Sequence, residues 1–205
     1  MMPRGRIIST IAMIMEADNK LADCFDCQET YSLGLKPILE LQVGLEKYAG
    51  PDHWNDPDMM EVGNPGLTLE ESRAHFSLWC ILAAPLMAGN DLRIMTPEIL
   101  NILTNKEAIA INQDPLGKQG YRFIDHRGKE IWVKELSGGD IAICFFNDED
   151  VLLPLQINWK HFYILDGKYE VRDIWNMIDF GTTEKEMEFE VASHDALLLR
   201  LTKIK

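Results

Sequence analysis

The feature that most constrains this chain is a change of hydrophobic period near Pro115-Leu116-Gly117. Downstream of it, apolar and polar residues alternate. The runs "EIWVKEL" and "IAICFFN" flank Ser137-Gly138-Gly139-Asp140, which reads as a hairpin. "VLLPLQI", "KYEVRDIW", "MEFEV" and "ALLLRL" continue as strands at fairly regular spacing. Alternation of period two sets one face of each strand apart from the other. The last part of the chain therefore reads as an antiparallel all-β module, a small sandwich.

Upstream the pattern is that of helices and short apolar strands. Thr68 followed by Glu71 is a capping box, in which the hydroxyl and the carboxylate each take a backbone amide of the first turn. The apolar run from Phe76 to Ala84 makes the later turns of that helix buried, with an end near Pro85. "LMAGN", Leu86 to Asn90, reads as a short buried parallel strand. Thr96-Pro97-Glu98 opens another helix, with proline where its missing amide costs nothing, and Ile99, Ile102 and Leu103 share one face. Such alternation of strand and helix predicts α/β units.

The formal net charge of −13 excludes a nucleic-acid partner, since phosphate binding needs a concentrated basic face and no run of Lys and Arg makes one. No stretch approaches the length of a membrane-spanning helix. Cys24 and Cys27 form a C-x-x-C with no second pair, so these two, with Cys80 and Cys144, read as ordinary thiols of a reducing compartment. The opening "MMPRGRIISTIAMIMEADNK" lacks a small-residue cleavage site, and a cytoplasmic location is favoured over secretion.

Function is written most densely in "GPDHWNDPDMMEVG", Gly50 to Gly63. Three readings stand side by side. Asp56-Pro57-Asp58 is a D-x-D of the kind that holds a divalent ion against a nucleotide diphosphate. Alternatively the stretch ends a barrel strand, where Asp56 and Asp58, two apart, face one pocket, accept hydrogen bonds from sugar hydroxyls and leave Trp or Met to cover an apolar sugar face. The third reading is a polar loop whose acids take backbone amides around a proline turn. His53 reads as a hydrogen-bonded loop histidine and His75 as a satisfied core histidine. Met87 and Met95 read as packing residues, and Trp159, His161, Phe162 and Tyr163 as sheet or core packing rather than a sugar platform.

Longer signatures decide among these readings. "YAGPDHWNDPDMMEVGNPGLT" (Tyr48 to Thr68), "RAHFSLWCILAAPLMAGNDLR" (Arg73 to Arg93) and "LTNKEAIAINQDPLGKQG" (Leu103 to Gly120) closely resemble glycoside hydrolase family 27, the α-galactosidases (melibiases) and α-N-acetylgalactosaminidases. "RDIWNMIDFGT" and "VASHDALLLRL" resemble the family's closing sandwich strands. The resemblance implies the C-terminal portion of a (β/α)8 TIM barrel followed by an antiparallel β-sandwich. It also implies a retaining mechanism on terminal α-linked galactose, with two carboxyl groups about 5–5.5 Å apart as nucleophile and acid/base. It calls for no cofactor and no metal. Asp58 and Met59 match the family's pocket residues, Asp58 as a sugar-side carboxylate and Met59 as an apolar wall, while Trp54 and Asp56 match neighbours of more structural role.

Departures from the family pattern are equally specific. The strand that carries the family's nucleophile has no counterpart in these residues. Aligning "DCFD" (Asp23 to Asp26) on the family's R-x-x-x-D-I-x-D places Lys20 at the acid/base position and Glu16 at the arginine's. A lysine cannot do that work unless its pKa falls drastically. The expected layout is a non-family segment over 1–20, the last part of the catalytic barrel over 21–117 and the sandwich over 118–205. Three functions follow as expectations: a catalytically incomplete α-galactosidase piece, one chain of a two-chain enzyme whose partner supplies the missing barrel half, or a carbohydrate-binding or structural remnant.

Overall fold

The computed structural model describes residues 8–9, 28–29, 32–126 and 128–205. Lys20, Glu16, Asp23, Cys24 and Cys27 lie outside the described residues. The chain forms a partial, barrel-like α/β region followed by an antiparallel sandwich. Strand β1 (Ile8–Ser9) pairs in parallel with β4 (Asn55–Asp56), while β2 (Gln28–Glu29) and β3 (Ser32–Leu33) make a short antiparallel pair that leads into α1 (Leu35–Gln42). After β4, helix α2 (Leu69–Leu82) returns the chain so that Ala88 bridges Met60 in parallel. This is the strand–helix–strand alternation expected of a barrel.

Helix α2 starts on the capping box read from Thr68 and Glu71: the Thr68 hydroxyl accepts from the Glu71 amide at 3.1 Å, and the Glu71 carboxylate accepts from the Thr68 amide at 2.7 Å. Every residue from Ala74 to Leu82 is buried, the mark of a helix enclosed on all sides. It stops at Ala83, which takes a φ of 53°. Helices α3 (Pro97–Leu103), capped by Thr96, and α4 (Lys106–Asn112), capped by Asn105, pack beside it.

Two sequence-based expectations need correction here. Leu86 to Asn90 runs parallel to the β4 segment but makes a single bridge and is not buried, with Met87 56% exposed. His75 is a core residue, but neither ring nitrogen has a hydrogen-bond partner among the described residues. It lies edge-on to Trp79 at 4.1 Å, and burial alone drives its pKa down to about 3, so the ring stays neutral.

The sandwich holds a six-stranded antiparallel sheet in the order β10 (Ile178–Thr182), β9 (Tyr169–Asp173), β12 (Ala196–Lys203), β7 (Ile141–Asn147), β6 (Lys129–Glu135), β5 (Tyr121–His126). The pair β8 (Leu153–Ile157) and β11 (Met187–Val191) covers one face. All of β7 is buried because both faces are covered. Ile141, Ile143 and Phe145 meet the β8–β11 pair, while Ala142, Cys144 and Phe146 face α2 and α4. The unit is thus three layers: helices, large sheet, small sheet.

Polar groups clamp helices to sheet. Lys134 on β6 is 1% exposed and donates its ammonium to the carbonyls of Cys80 (3.2 Å) and Asn112 (3.0 Å), at the last turns of α2 and α4. Burial holds its pKa down to about 8. Arg73 forms a two-pronged ion pair with Asp195, and Arg172 forms another with Glu107 at 2.6 and 2.9 Å. Glu130, at the other end of the same face of β6, is pushed up to about 7 by burial. Trp132 Nε1 donates to it at 2.7 Å, and Arg122 lies 3.7 Å away while also pairing with Glu40 and Asp125.

Candidate active site

The site grows from the end of β4. Asn55, on the inward side of the strand, is 3% exposed and donates to the Leu45 carbonyl and to Gln119, both at 2.8 Å, which ties the barrel region to the entry of the sandwich. Asp56, on the alternate side, is half-buried. Regular pairing ends there, so strand alternation does not set the direction of Asp58. Asp58 instead takes a φ of 89°, a conformation that L-residues rarely adopt and that Asp and Asn tolerate best.

Three contacts hold Asp58 in that conformation. Its amide donates to Asp56 Oδ1 at 3.0 Å, its carbonyl accepts from Trp79 Nε1 at 3.0 Å, and its own Oδ1 accepts from the Met59 amide at 2.7 Å. Oδ2 takes no hydrogen bond among the described residues and sits on a half-buried side chain. A strained residue pinned at every backbone group, with one carboxylate oxygen left open, is the pattern of a ligand-facing position. Asp56 closes the turn by accepting from the Asp58 amide, the arrangement that the polar-loop reading of this stretch called for.

Met59 is half-buried beside Asp58, and Met60 behind it is 2% exposed. The Met60 amide donates to the Met87 carbonyl at 2.8 Å and the Gly89 amide to the Met60 carbonyl at 2.9 Å. A Cβ at position 89 would stand 3.0 Å from that carbonyl, so glycine permits the close approach. Trp54 turns the other way. It lines a cleft of about 420 Å³ with Ala83 to Leu86 and Asn112 to Asp114, and packs over Gly117, whose absent Cβ would lie 3.3 Å from the indole. Trp54 is a buttress between barrel and sandwich. Asp114, in that same wall, accepts from the Ser137 amide and hydroxyl at 2.8 Å each. His53 is an exposed loop residue whose Nδ1 lies 3.0 Å from the Pro51 carbonyl. Among the described residues no group of three His, Cys, Asp or Glu side chains is placed to hold a metal, so Asp56-Pro57-Asp58 has no third ligand there.

Sequence reasoning missed Trp79 and Asn55. Trp79 was legible only as one apolar residue in a buried helical run, and its indole N–H finds the Asp58 carbonyl only once α2 is packed. Asn55 carried a clearer signal: a polar residue whose place on the strand alternates with Asp56 must point inward and needs partners there.

In sequence and fold the chain is similar to known proteins. Residues 9–114 match the family profile described as "Alpha galactosidase A", and residues 126–201 match "Alpha galactosidase C-terminal beta sandwich domain". Alpha-galactosidase A of Cellvibrio japonicus is 45% identical over 87% of this chain and 48% of its own length. Alpha-galactosidase 3 of Arabidopsis thaliana is 38% identical over 91% of this chain and 44% of its own. The crystal structure of α-galactosidase I from Mortierella vinacea superposes with a TM-score of 0.78 at 28% identity, covering 87% of this chain and 47% of that one. The chain thus spans about half the length of these relatives. It belongs to the α-galactosidase (melibiase) family, glycoside hydrolase family 27.

Proposed function

We propose that this chain forms one wall of the galactose pocket of a retaining α-galactosidase and that these 205 residues do not hydrolyse an α-galactoside on their own. The observation that carries the proposal is the pinned, strained Asp58 with its open Oδ2. A carboxylate oxygen in that setting accepts hydrogen bonds from sugar hydroxyls, and Met59 beside it offers an apolar surface to a sugar face. A retaining displacement needs a nucleophilic carboxylate and an acid/base carboxyl about 5–5.5 Å apart. Asp58 is committed to the Met59 amide, and the neighbouring Asp56 carboxylate is committed to the Asp58 amide. The family's nucleophile strand has no counterpart in the sequence, and Lys20 stands where the acid/base is expected. The nucleophile then comes from barrel strands beyond these residues, and a second polypeptide docking along the parallel β1–β4 edge is one source.

The test is hydrolysis of a chromogenic α-galactoside by the purified chain beside Asp58→Asn. The expected result is no hydrolysis above background in either protein. Turnover that disappears in the variant would overturn the proposal, because a carboxylate of this chain would then be supplying the chemistry. Restoration of turnover on adding a polypeptide that carries the first barrel strands supports the two-chain form.

A further inference from the structure

One cleft of the chain lies away from Asp58. It is about 660 Å³, within the range of about 300–1,000 Å³ usual for small-molecule sites. It opens between the start of α2, helix α3, the turn into α4 and the turn that joins β9 to β10. None of residues 54–60 lines it.

Its central wall is Trp175. The indole N–H donates to Ser77 Oγ at 2.9 Å, the backbone amide donates to Asp173 Oδ1 at 2.9 Å, and Phe76 meets the ring edge-on at 6.2 Å. The polar edge of the ring is therefore turned inward and satisfied, and what the half-buried side chain offers to the cleft is apolar. Polar groups around it are held with one end free. The Asn176 amide donates its Nδ2 to Asp173 Oδ2 at 2.8 Å, which leaves Oδ1 as an acceptor. Arg73 commits Nε and Nη2 to Asp195, which leaves Nη1 as a donor. Asn101 stands exposed at the rim.

Charge decides the class of ligand. Arg73 is neutralised by Asp195 and Glu107 by Arg172, so Lys106 against Glu98 is the remaining balance of the lining. A cleft with no net charge selects neither an anion nor a cation. An apolar aromatic wall flanked by fixed donors and acceptors matches a neutral pyranose, whose C–H face packs on the ring while its hydroxyls pair with the amides. From this geometry we infer that the cleft is a second, non-catalytic carbohydrate site that takes a neutral hexopyranose unit. It is independent of the Asp58 pocket and stands or falls apart from it.

The test is a titration of the 205-residue chain, labelled at its tryptophan indoles, with methyl α-galactoside and methyl α-glucoside by NMR. Trp175→Phe assigns the signal, or contacts to Phe76 do so if that variant does not fold. The expected result is a saturable shift of the Trp175 indole with at least one sugar. Asn101→Trp, which fills the mouth from an exposed position, should weaken that binding about tenfold or more, and Asp58→Asn should leave it unchanged. No saturable shift, or one that survives Asn101→Trp or vanishes in Asp58→Asn, would overturn the inference. So would an equal response to inorganic phosphate, which would make the cleft an anion site.

Discussion

Trp79 Nε1 donates to the carbonyl of Asp58 at 3.0 Å, across 21 residues of chain. That bond makes a buried helix the support of the residue proposed to face the sugar. Trp79→Phe keeps most of the volume and deletes the donor, leaving a half-buried carbonyl unpaired. The expected cost is about 1–3 kcal/mol in urea denaturation. Asp58→Asn, which tolerates the same φ and keeps an oxygen for the Met59 amide, should stay within about 0.5 kcal/mol of the parent. Asp58→Val should cost about 1–3 kcal/mol, because a branched residue is strained at a φ of 89°. Equal stability of the Asn and Val variants would show that the strain is absent in solution.

Lys134 gives a second prediction, with a sign set by pH. Its pKa is lowered from an ordinary 10.5 to about 8 in the folded protein, so between those values the unfolded chain binds more protons and stability rises with pH. Below pH 8 the full cost of the buried charge is present and opposes the two carbonyl bonds. Lys134→Met should therefore lie within about 1 kcal/mol of the parent at pH 7 and fall about 2–3 kcal/mol below it at pH 10. Denaturation midpoints at the two values decide the matter. A constant difference would mean that the ammonium is not desolvated.

Glu130 should behave in the opposite sense. Its pKa rises from 4.5 to about 7, so the folded state holds the extra proton and stability falls as pH climbs through that window. Glu130→Gln keeps an acceptor for Trp132 Nε1 and removes the charge. It should leave stability unchanged at pH 4 and raise it by about 2–3 kcal/mol at pH 8. A destabilised variant at pH 8 would mean that Arg122, 3.7 Å away, outweighs burial.

The helices and the sheet are predicted to be inseparable. Trp132, Cys144, Phe146 and Leu198 are each fully buried on the sheet face that packs with α2. Residues 118–205 produced alone would expose that face. The loss, at about 1.5–3 kcal/mol per large side chain, is on the order of 5–10 kcal/mol and rivals the stability of a typical domain. The isolated segment should bind a hydrophobic dye and self-associate. A stable, dye-silent monomer would show that the sandwich is autonomous.

Much of this molecule was legible in its residues, for reasons that are local. The capping box at Thr68 and Glu71, the Thr96-Pro97 start of α3 and the period-two strands after Gly117 are short-range matters of hydrogen bonding and alternation, and each appears as read. The pocket reading of "WNDPDMM" rests on its family signature. Packing alone decided the rest. Strand periodicity placed Asp56 and Asp58 on one face, but a turn closed by Asp56 and an indole from α2 hold Asp58 outside strand geometry. Nothing in the text of α2 tells its sheet-facing residues from its barrel-facing ones, because a helix buried all round has no polar face to mark direction. The sequence by itself determined the elements and the family. Only tertiary structure decided that Lys134 would end against two helix carbonyls, and that Trp175 would wall a cleft. Both depend on contacts between residues far apart in the chain, which no local pattern encodes.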